Sequence, residues 1–352
     1  MRKSSGWLLP ARSTIPHLGD SMILHPAILA LSIGSFLTAL ILLYALLFSV
    51  RILTRWDIGS GSESQLALER QTYLVAMTLT YAFIIQILSL FLYIYTADSL
   101  HGLFTGAMCA AGSFNVSSYG YPVLFLKLGN LMFAGVWLIL NHADTKGYDY
   151  PLIRVKYAML LFLVPGVLVE SALQFLYFNG LNADVITSCC GSLFGRERNG
   201  IAADLAGLPV KPTMVAFYGA VSATVVTGLT FFLRRRGGYL FALSSILTSL
   251  VALASLSSFI CLYFYNLPTH HCPFCLLQRE YGYVGYLLYA AILGGGMGGM
   301  GVGALMPFKG RGSMAHVIPC LQRRLAVASF FLFVLFTLLI SWKIVVSPLT
   351  MF

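Results

Sequence analysis

The chain has 352 residues, 58% of them hydrophobic and only 10% charged, with a formal net charge of +10 at pH 7 and a mean hydropathy of +0.83. A soluble globular domain carries roughly 25% charged residues, so this composition excludes a large soluble domain and points to an integral membrane protein. Nucleic acid is not an expected partner, because most of the positive charge falls in short stretches between apolar runs, where it sets topology.

The first twenty residues contain Trp7, Pro10 and Pro16 but no short apolar core with a cleavage site, so no signal peptide is expected. With about 20 apolar residues per membrane span, the rest reads as eight helices, over roughly 23–50, 71–96, 122–142, 153–178, 213–233, 239–265, 283–306 and 325–347. The expected fold is an all-α polytopic membrane bundle forming one domain, 1–352. Alternate connections are rich in cations: thirteen of the 22 Lys and Arg, among them Arg51, Arg55, Lys156, Arg234, Arg235, Arg236, Lys309 and Arg323, fall at one end. The opposite connections hold only Lys127, Arg196, Arg198, Lys211 and Arg279. The positive-inside rule places the first set in the cytoplasm of a multi-pass membrane protein. The loops 97–121, 179–212 and 266–282 then lie on the non-cytoplasmic side. Cys109, Cys189, Cys190, Cys272 and Cys275 fall in those loops, as expected for an oxidising compartment.

The stretch Thr269-His270-His271-Cys272-Pro273-Phe274-Cys275-Leu276-Leu277-Gln278-Arg279 carries the densest chemistry. Pro273 suits the first turn of a helix. A helix starting there makes Cys272 its N-cap and sets Cys272, Cys275 and Arg279 on one face. The pair then reads three ways. It is a dithiol/disulfide couple, half of a Cu or Zn site completed by His270, His271 or Cys189 and Cys190, or a structural disulfide. A fixed Arg279 suits a quinone oxygen and opposes a bound metal cation.

Other features are weaker. Gly296-x-Gly298-x-x-Gly301 lies inside an apolar helix with no preceding strand, so it is not a dinucleotide site. The spacings Gly295-xxx-Gly299-xxx-Gly303 and Gly294-xxx-Gly298 instead permit close helix contact. Glu170 and Gln174 lie one turn apart within the membrane. Glu170 is either a proton-relay candidate or is neutralised by Lys127, with Asn130 as a further partner. Gln86 reads as an interhelical hydrogen bond. His25, His142 and His316 offer no bis-histidine haem site.

Cys272-x-x-Cys275-x-x-Gln278-Arg279 resembles the active-site motif of DsbB-type disulfide-generating oxidoreductases and the scheme of the vitamin K epoxide reductases. Both families have a core of four or five helices. The resemblance implies a membrane thiol/disulfide oxidoreductase passing electrons between an extracytoplasmic thiol protein and a quinone. Cys272 and Cys275 would be the quinone-facing pair. Arg279, beside Gln278, would contact the quinone. Cys189 or Cys190, with Cys109 as a further candidate, would form the shuttle pair. Two alternatives stay open: a Cys/His protein that binds or moves Cu or Zn, and a membrane anchor subunit of a respiratory or assembly complex.

Overall fold

The computed structural model describes residues 24–147, 149–182, 185–187, 207–310 and 312–349. These form eight helices long and apolar enough to cross a bilayer. They are α1 (Pro26–Arg55), α2 (Glu63–Ser99), α3 (Gly120–Asp144), α4 (Ile153–Asn179), α5 (Val210–Arg234), α6 (Gly238–Tyr265), α7 (Val284–Leu305) and α8 (Met314–Val346). Among the described residues there is no strand, so the expected all-α membrane bundle is the architecture observed.

Several helices outrun the apolar windows that mark them. α2 starts at Glu63 because Ser62 caps it, accepting the Gln65 N–H at 3.4 Å in the polar region before the membrane. α8 starts at Met314; its 33 residues measure about 50 Å, well over a hydrocarbon core of about 30 Å. Hydropathy marks only the part that needs lipid, whereas backbone hydrogen bonding carries the helix on into water.

The eight helices pack as two rings of four. α1 packs on α2, α2 on α3, α3 on α4, and α4 back on α1; α5, α6, α7 and α8 close the second ring in the same order. The rings meet where α7 and α8 lie against α3. α7 can touch three neighbours because its glycines carry no side chains. A Cβ on Gly299 would overlap Ser245 of α6, and one on Gly298 would crowd Ser329 and the Leu325 carbonyl of α8. On the α3 side, Gly296 faces Met132, Gly301 faces Ile139, and Gly135 of α3 faces Met297. This is the close contact expected of the glycine run, and hydroxyls reinforce it. Ser329 Oγ donates to the Gly295 carbonyl at 2.7 Å, and Gln322 Nε2 to the Val302 carbonyl at 3.0 Å.

The first ring buries two ion pairs. Lys127 Nζ lies 2.7 Å from Glu170 Oε1 and also donates to Ser89 Oγ at 3.0 Å. Glu170 Oε2 accepts from Gln86 Nε2 at 2.6 Å and Asn130 Nδ2 at 2.7 Å. The partners expected from sequence are therefore the ones found, and Glu170 is fully hydrogen-bonded. Gln174 turns the other way, to the Leu31 carbonyl and Ser35. Lys156, counted above as a cytoplasmic charge, is instead buried against Asp144 at 2.6 Å.

Removing one partner of a buried pair strands the other charge, at a cost of about 3–5 kcal/mol. Lys127→Met should therefore destabilise the fold by roughly that amount, and adding Glu170→Leu should recover most of the loss. Melting temperatures of the purified variants in detergent check both.

Candidate functional site

Two loops meet at one end of the molecule, each joining the second and third helices of its ring. The α2–α3 loop carries a short helix, Ala110–Asn115, with Cys109 as its extended N-cap residue. The α6–α7 loop carries Cys272 and Cys275. Cys109 Sγ lies 3.3 Å from Cys272 Sγ, and the three sulfurs of Cys109, Cys272 and Cys275 lie within 4.8 Å of one another. All three are buried, at 0%, 7% and 5% exposure. A fourth thiol, Cys261, is buried nearby in α6, and Cys320 is exposed at the other end of the bundle.

The helix anticipated from Pro273 does not form. Cys275–Leu277 makes one 3-10 turn, Gln278 is extended (ψ 160°), Arg279–Tyr281 makes a second, and α7 begins only at Val284. Two consecutive left-handed residues, Gly282 and Tyr283, sit at the junction. Cys272 is therefore not the N-cap of a membrane helix, and Arg279 does not share a helical face with the pair. Arg279 is exposed beyond the break. The reason is in the hydrogen bonding of Gln278. Its Nε2 donates to Asp98 Oδ1 at 3.0 Å and to the Met108 carbonyl at 3.1 Å, across to the other loop. Asp98 Oδ1 also accepts the Ala110 N–H at 3.2 Å. One carboxylate thus ties the residue after Cys109 to the segment after Cys275.

Non-helical backbone near the membrane survives only where its polar groups find partners. Tyr265 Oη donates to the Cys272 carbonyl at 2.6 Å, and Tyr289 Oη to the Pro273 carbonyl at 3.3 Å. The π turn Leu256–Ile260 in α6 adds a third anchor: the Ser257 carbonyl accepts from His271 Nδ1 at 2.9 Å. His271 is thereby turned away from the thiols, while His270 Nε2 stands 3.3 Å from Cys275 Sγ. Phe114 and Phe274 meet edge to face at 5.4 Å and close the apolar side.

The thiols are not equivalent. Hydrogen bonds from Cys109 and Cys275, helped by the backbone N–H groups of Phe274 and Cys275, hold the Cys272 thiol well below the usual range. The same contacts with Cys109 and Cys272, together with burial, push Cys275 up. Burial and the neighbouring His271 lower His270. The cluster therefore favours a single thiolate, on Cys272.

Cys189 and Cys190 lie outside the described residues. The described residues on either side of them bond to the site. Thr187 donates its N–H to the Thr105 carbonyl at 2.9 Å and its hydroxyl to the Gly112 carbonyl at 2.8 Å. The close approach needs Gly106, which is left-handed (φ 89°) and has no room for a Cβ against the Thr187 carbonyl. At the far end, Ser258 of the π turn donates to the Leu208 carbonyl at 3.1 Å.

Sequence reasoning missed Asp98, Tyr265 and the π turn. Asp98 did leave a signal, since a carboxylate in the last turn of a helix opposes the helix dipole and needs a reason to be there. Compared with protein-family models, curated proteins and solved structures, the chain matches none of them.

A hydrogen bond to a charged group is worth about 1.5–3 kcal/mol, roughly 10- to 100-fold in the population of the arrangement it holds. In a Cys275→Ser background, Gln278→Ala should lower the yield of the Cys109–Cys272 disulfide under mild oxidation by about tenfold or more. Thiol trapping and peptide mass mapping read it directly.

Proposed function

We propose that this chain is a membrane thiol/disulfide oxidoreductase, carrying electrons from an extracytoplasmic dithiol to a membrane quinone through Cys109, Cys272 and Cys275. The observation that carries the proposal is the convergence of three buried thiols from two separate loops, with Cys109 and Cys272 at 3.3 Å. In the oxidised state Cys272 and Cys275 share a disulfide. A Cys109 thiolate attacks Cys272 Sγ, a Cys109–Cys272 bond forms, and Cys275 leaves as a thiolate that takes up a proton. His270, 3.3 Å from Cys275 Sγ, is placed to hold that proton. The exchange itself moves no net electrons. An extracytoplasmic dithiol then reduces the Cys109–Cys272 bond and leaves as a disulfide, so that all three cysteines are thiols. Re-forming the Cys272–Cys275 disulfide releases two electrons and two protons, and a quinone is the class of acceptor that takes up both to become a quinol.

Several features support the reading. The ring carrying Cys272 and Cys275 has four helices, the size of core found in the families whose motif it resembles. The cluster is walled by Phe114, Phe274, Tyr265 and Tyr281, a setting suited to an apolar acceptor. Gln278 uses its amide in the tie to Asp98, which leaves the exposed Arg279 as the motif residue available to a quinone oxygen. The asymmetry of cations between alternate connections favours the thiol loops on the non-cytoplasmic face, where a thiol protein could reach them.

The same convergence favours a second reading, a Cu(I) or Zn(II) site. A metal–sulfur bond of about 2.3 Å is compatible with three sulfurs this close, and Cys109 takes the place first given to His271. Charge argues against it. Three thiolates with Zn(II) carry a net −1, and with Cu(I) a net −2. Among the described residues, the side chain bonded to the cluster from outside it is His270, whose proton affinity is lowered, and the buried cations Lys127 and Lys156 are paired elsewhere.

Thiol-trapped protein should carry either the Cys272–Cys275 or the Cys109–Cys272 disulfide. Cys272→Ser or Cys275→Ser should take thiol-dependent quinone reduction to background. Cys109→Ser should block thiol oxidation while leaving the Cys272–Cys275 disulfide able to form. Arg279→Leu should weaken quinone use, with Arg279→Lys intermediate, because Lys keeps the charge and loses the planar fork. A stoichiometric metal lost together in all three cysteine variants, with no quinone reduced, would put the metal reading in its place.

A further inference from the structure

At the other end of the bundle, with α6 and its length of about 42 Å between it and the thiol loops, the structure holds a site of a different kind. A cavity of about 340 Å³ opens between the end of α5 and the start of α8, lined in part by Phe231, Phe232, Arg235, Lys309, His316 and Arg323. No Asp or Glu lines it. The ion pairs among the described residues are Lys127–Glu170 and Lys156–Asp144, both elsewhere, so these cations have no carboxylate partner there. A similar basic cavity beside α1, with Arg51 and Arg55, does contain an acid, Asp57.

The cations are also held in place. The Arg323 guanidinium lies over the Phe232 ring at 4.8 Å, a contact that fixes its plane. Lys309 Nζ donates to the Arg235 backbone carbonyl at 3.0 Å, which holds the ammonium at a cavity that Arg235 also lines. Topology alone needs cations somewhere in a loop; it does not need them converging on one cavity without a counter-charge. Depth identifies the ligand. Arg323 is the tenth residue of α8, about 14 Å from its start. α8 exceeds the hydrocarbon core by about 20 Å, so this turn stands at the level of the headgroups. The cavity's aromatic wall continues onto exposed Phe232 and Leu233 of α5. A soluble anion has no use for that surface, whereas an acyl chain would cover it.

We propose that this cavity binds the phosphate of an anionic phospholipid, with Arg235, Lys309 and Arg323 as its ligands and Phe231 and Phe232 against the glycerol and the upper acyl chain. Basic pockets between membrane helices are a recurring solution for such headgroups. The inference does not depend on the thiol chemistry.

Cys320 lines the same cavity and is exposed, which supplies a native reporter. The full chain is placed in nanodiscs of phosphatidylcholine alone or with phosphatidylglycerol, and alkylation of Cys320 by a neutral maleimide is timed by mass spectrometry. Phosphatidylglycerol should slow alkylation several-fold, and millimolar inorganic phosphate in phosphatidylcholine discs should not. Lys309→Gln with Arg323→Gln should remove the protection, as should Ala315→Asp, which supplies the missing counter-charge. Arg51→Gln with Arg55→Gln, a loss of equal charge away from the cavity, should leave it intact. Equal alkylation in both discs, or protection surviving in the cavity variants, overturns the proposal. Protection lost equally in the Arg51 and Arg55 variant makes it a bulk surface-charge effect and overturns it too. Protection by inorganic phosphate alone overturns the lipid assignment.

Discussion

The contact of α3 with α7 is the constraint on which the rest of this molecule depends. Within lipid there is no hydrophobic drive to bring two helices together, so close packing must do it. α7 achieves this on three sides at once, because Gly296, Gly298, Gly299 and Gly301 put backbone where side chains would stand. The two rings are thereby joined at their third helices, and the loop leading into each third helix is the one that carries cysteine. Bring α3 against α7, and Cys109 is delivered to Cys272.

The two halves share a plan without sharing residues. Each is a closed ring of four helices in chain order, with its chemistry in the connection between the second and third. An even number of spans per half returns the chain to its starting side, so both connections emerge on the same face, as in parallel repeats. No repeat is visible in the residues. The first ring is held by buried ion pairs with amide partners, the second by glycines, serines and threonines such as the Thr224–Thr248 pair at 2.8 Å. A plan repeated in topology while the packing chemistry diverges leaves no trace for residue-by-residue comparison within one chain.

That divergence also explains which parts of the structure were legible beforehand. Apolar length is a direct physical requirement of the bilayer, so eight spans could be read, and the ends erred most where α2 and α8 run on past the apolar stretch. Glu170 with Lys127 was legible because a charge in lipid needs an opposite charge. The helix at Pro273 was not, since the local signals for it are sound. What overrides them is Gln278, whose amide reaches Asp98, 180 positions away in sequence. Arg279 is carried off the shared face as a consequence. Lys156 misled for the same kind of reason: it is near a helix end by sequence, and only packing reveals Asp144 above it. His271 and Cys109 exchanged importance through the π turn at Ser257, a one-residue change of register that composition cannot show.

The number of thiols in the cluster constrains what the site can do. Three sulfurs form one disulfide and leave one thiol over, whichever pair is bonded. On the proposed thiol/disulfide reading, Cys109–Cys272 and Cys272–Cys275 are two states of one oxidation level, and passing between them changes which loop holds the reactive thiol without consuming an oxidant. In the first state the free thiol is Cys275, beside His270; in the second it is Cys109, on the loop that Thr187 touches through Gly112. A closed pair would have no such choice. On the proposed reading, an odd cluster hands its unpaired thiol from one side to the other, and net transfer requires a dithiol from outside to reduce it and an acceptor to reoxidise it. Thr187 and Leu208, the described residues that flank Cys189 and Cys190 in sequence, are each hydrogen-bonded to a loop or turn of the site. On the same reading, the asymmetry between Cys272 and Cys275 makes Cys272 the sulfur common to both states.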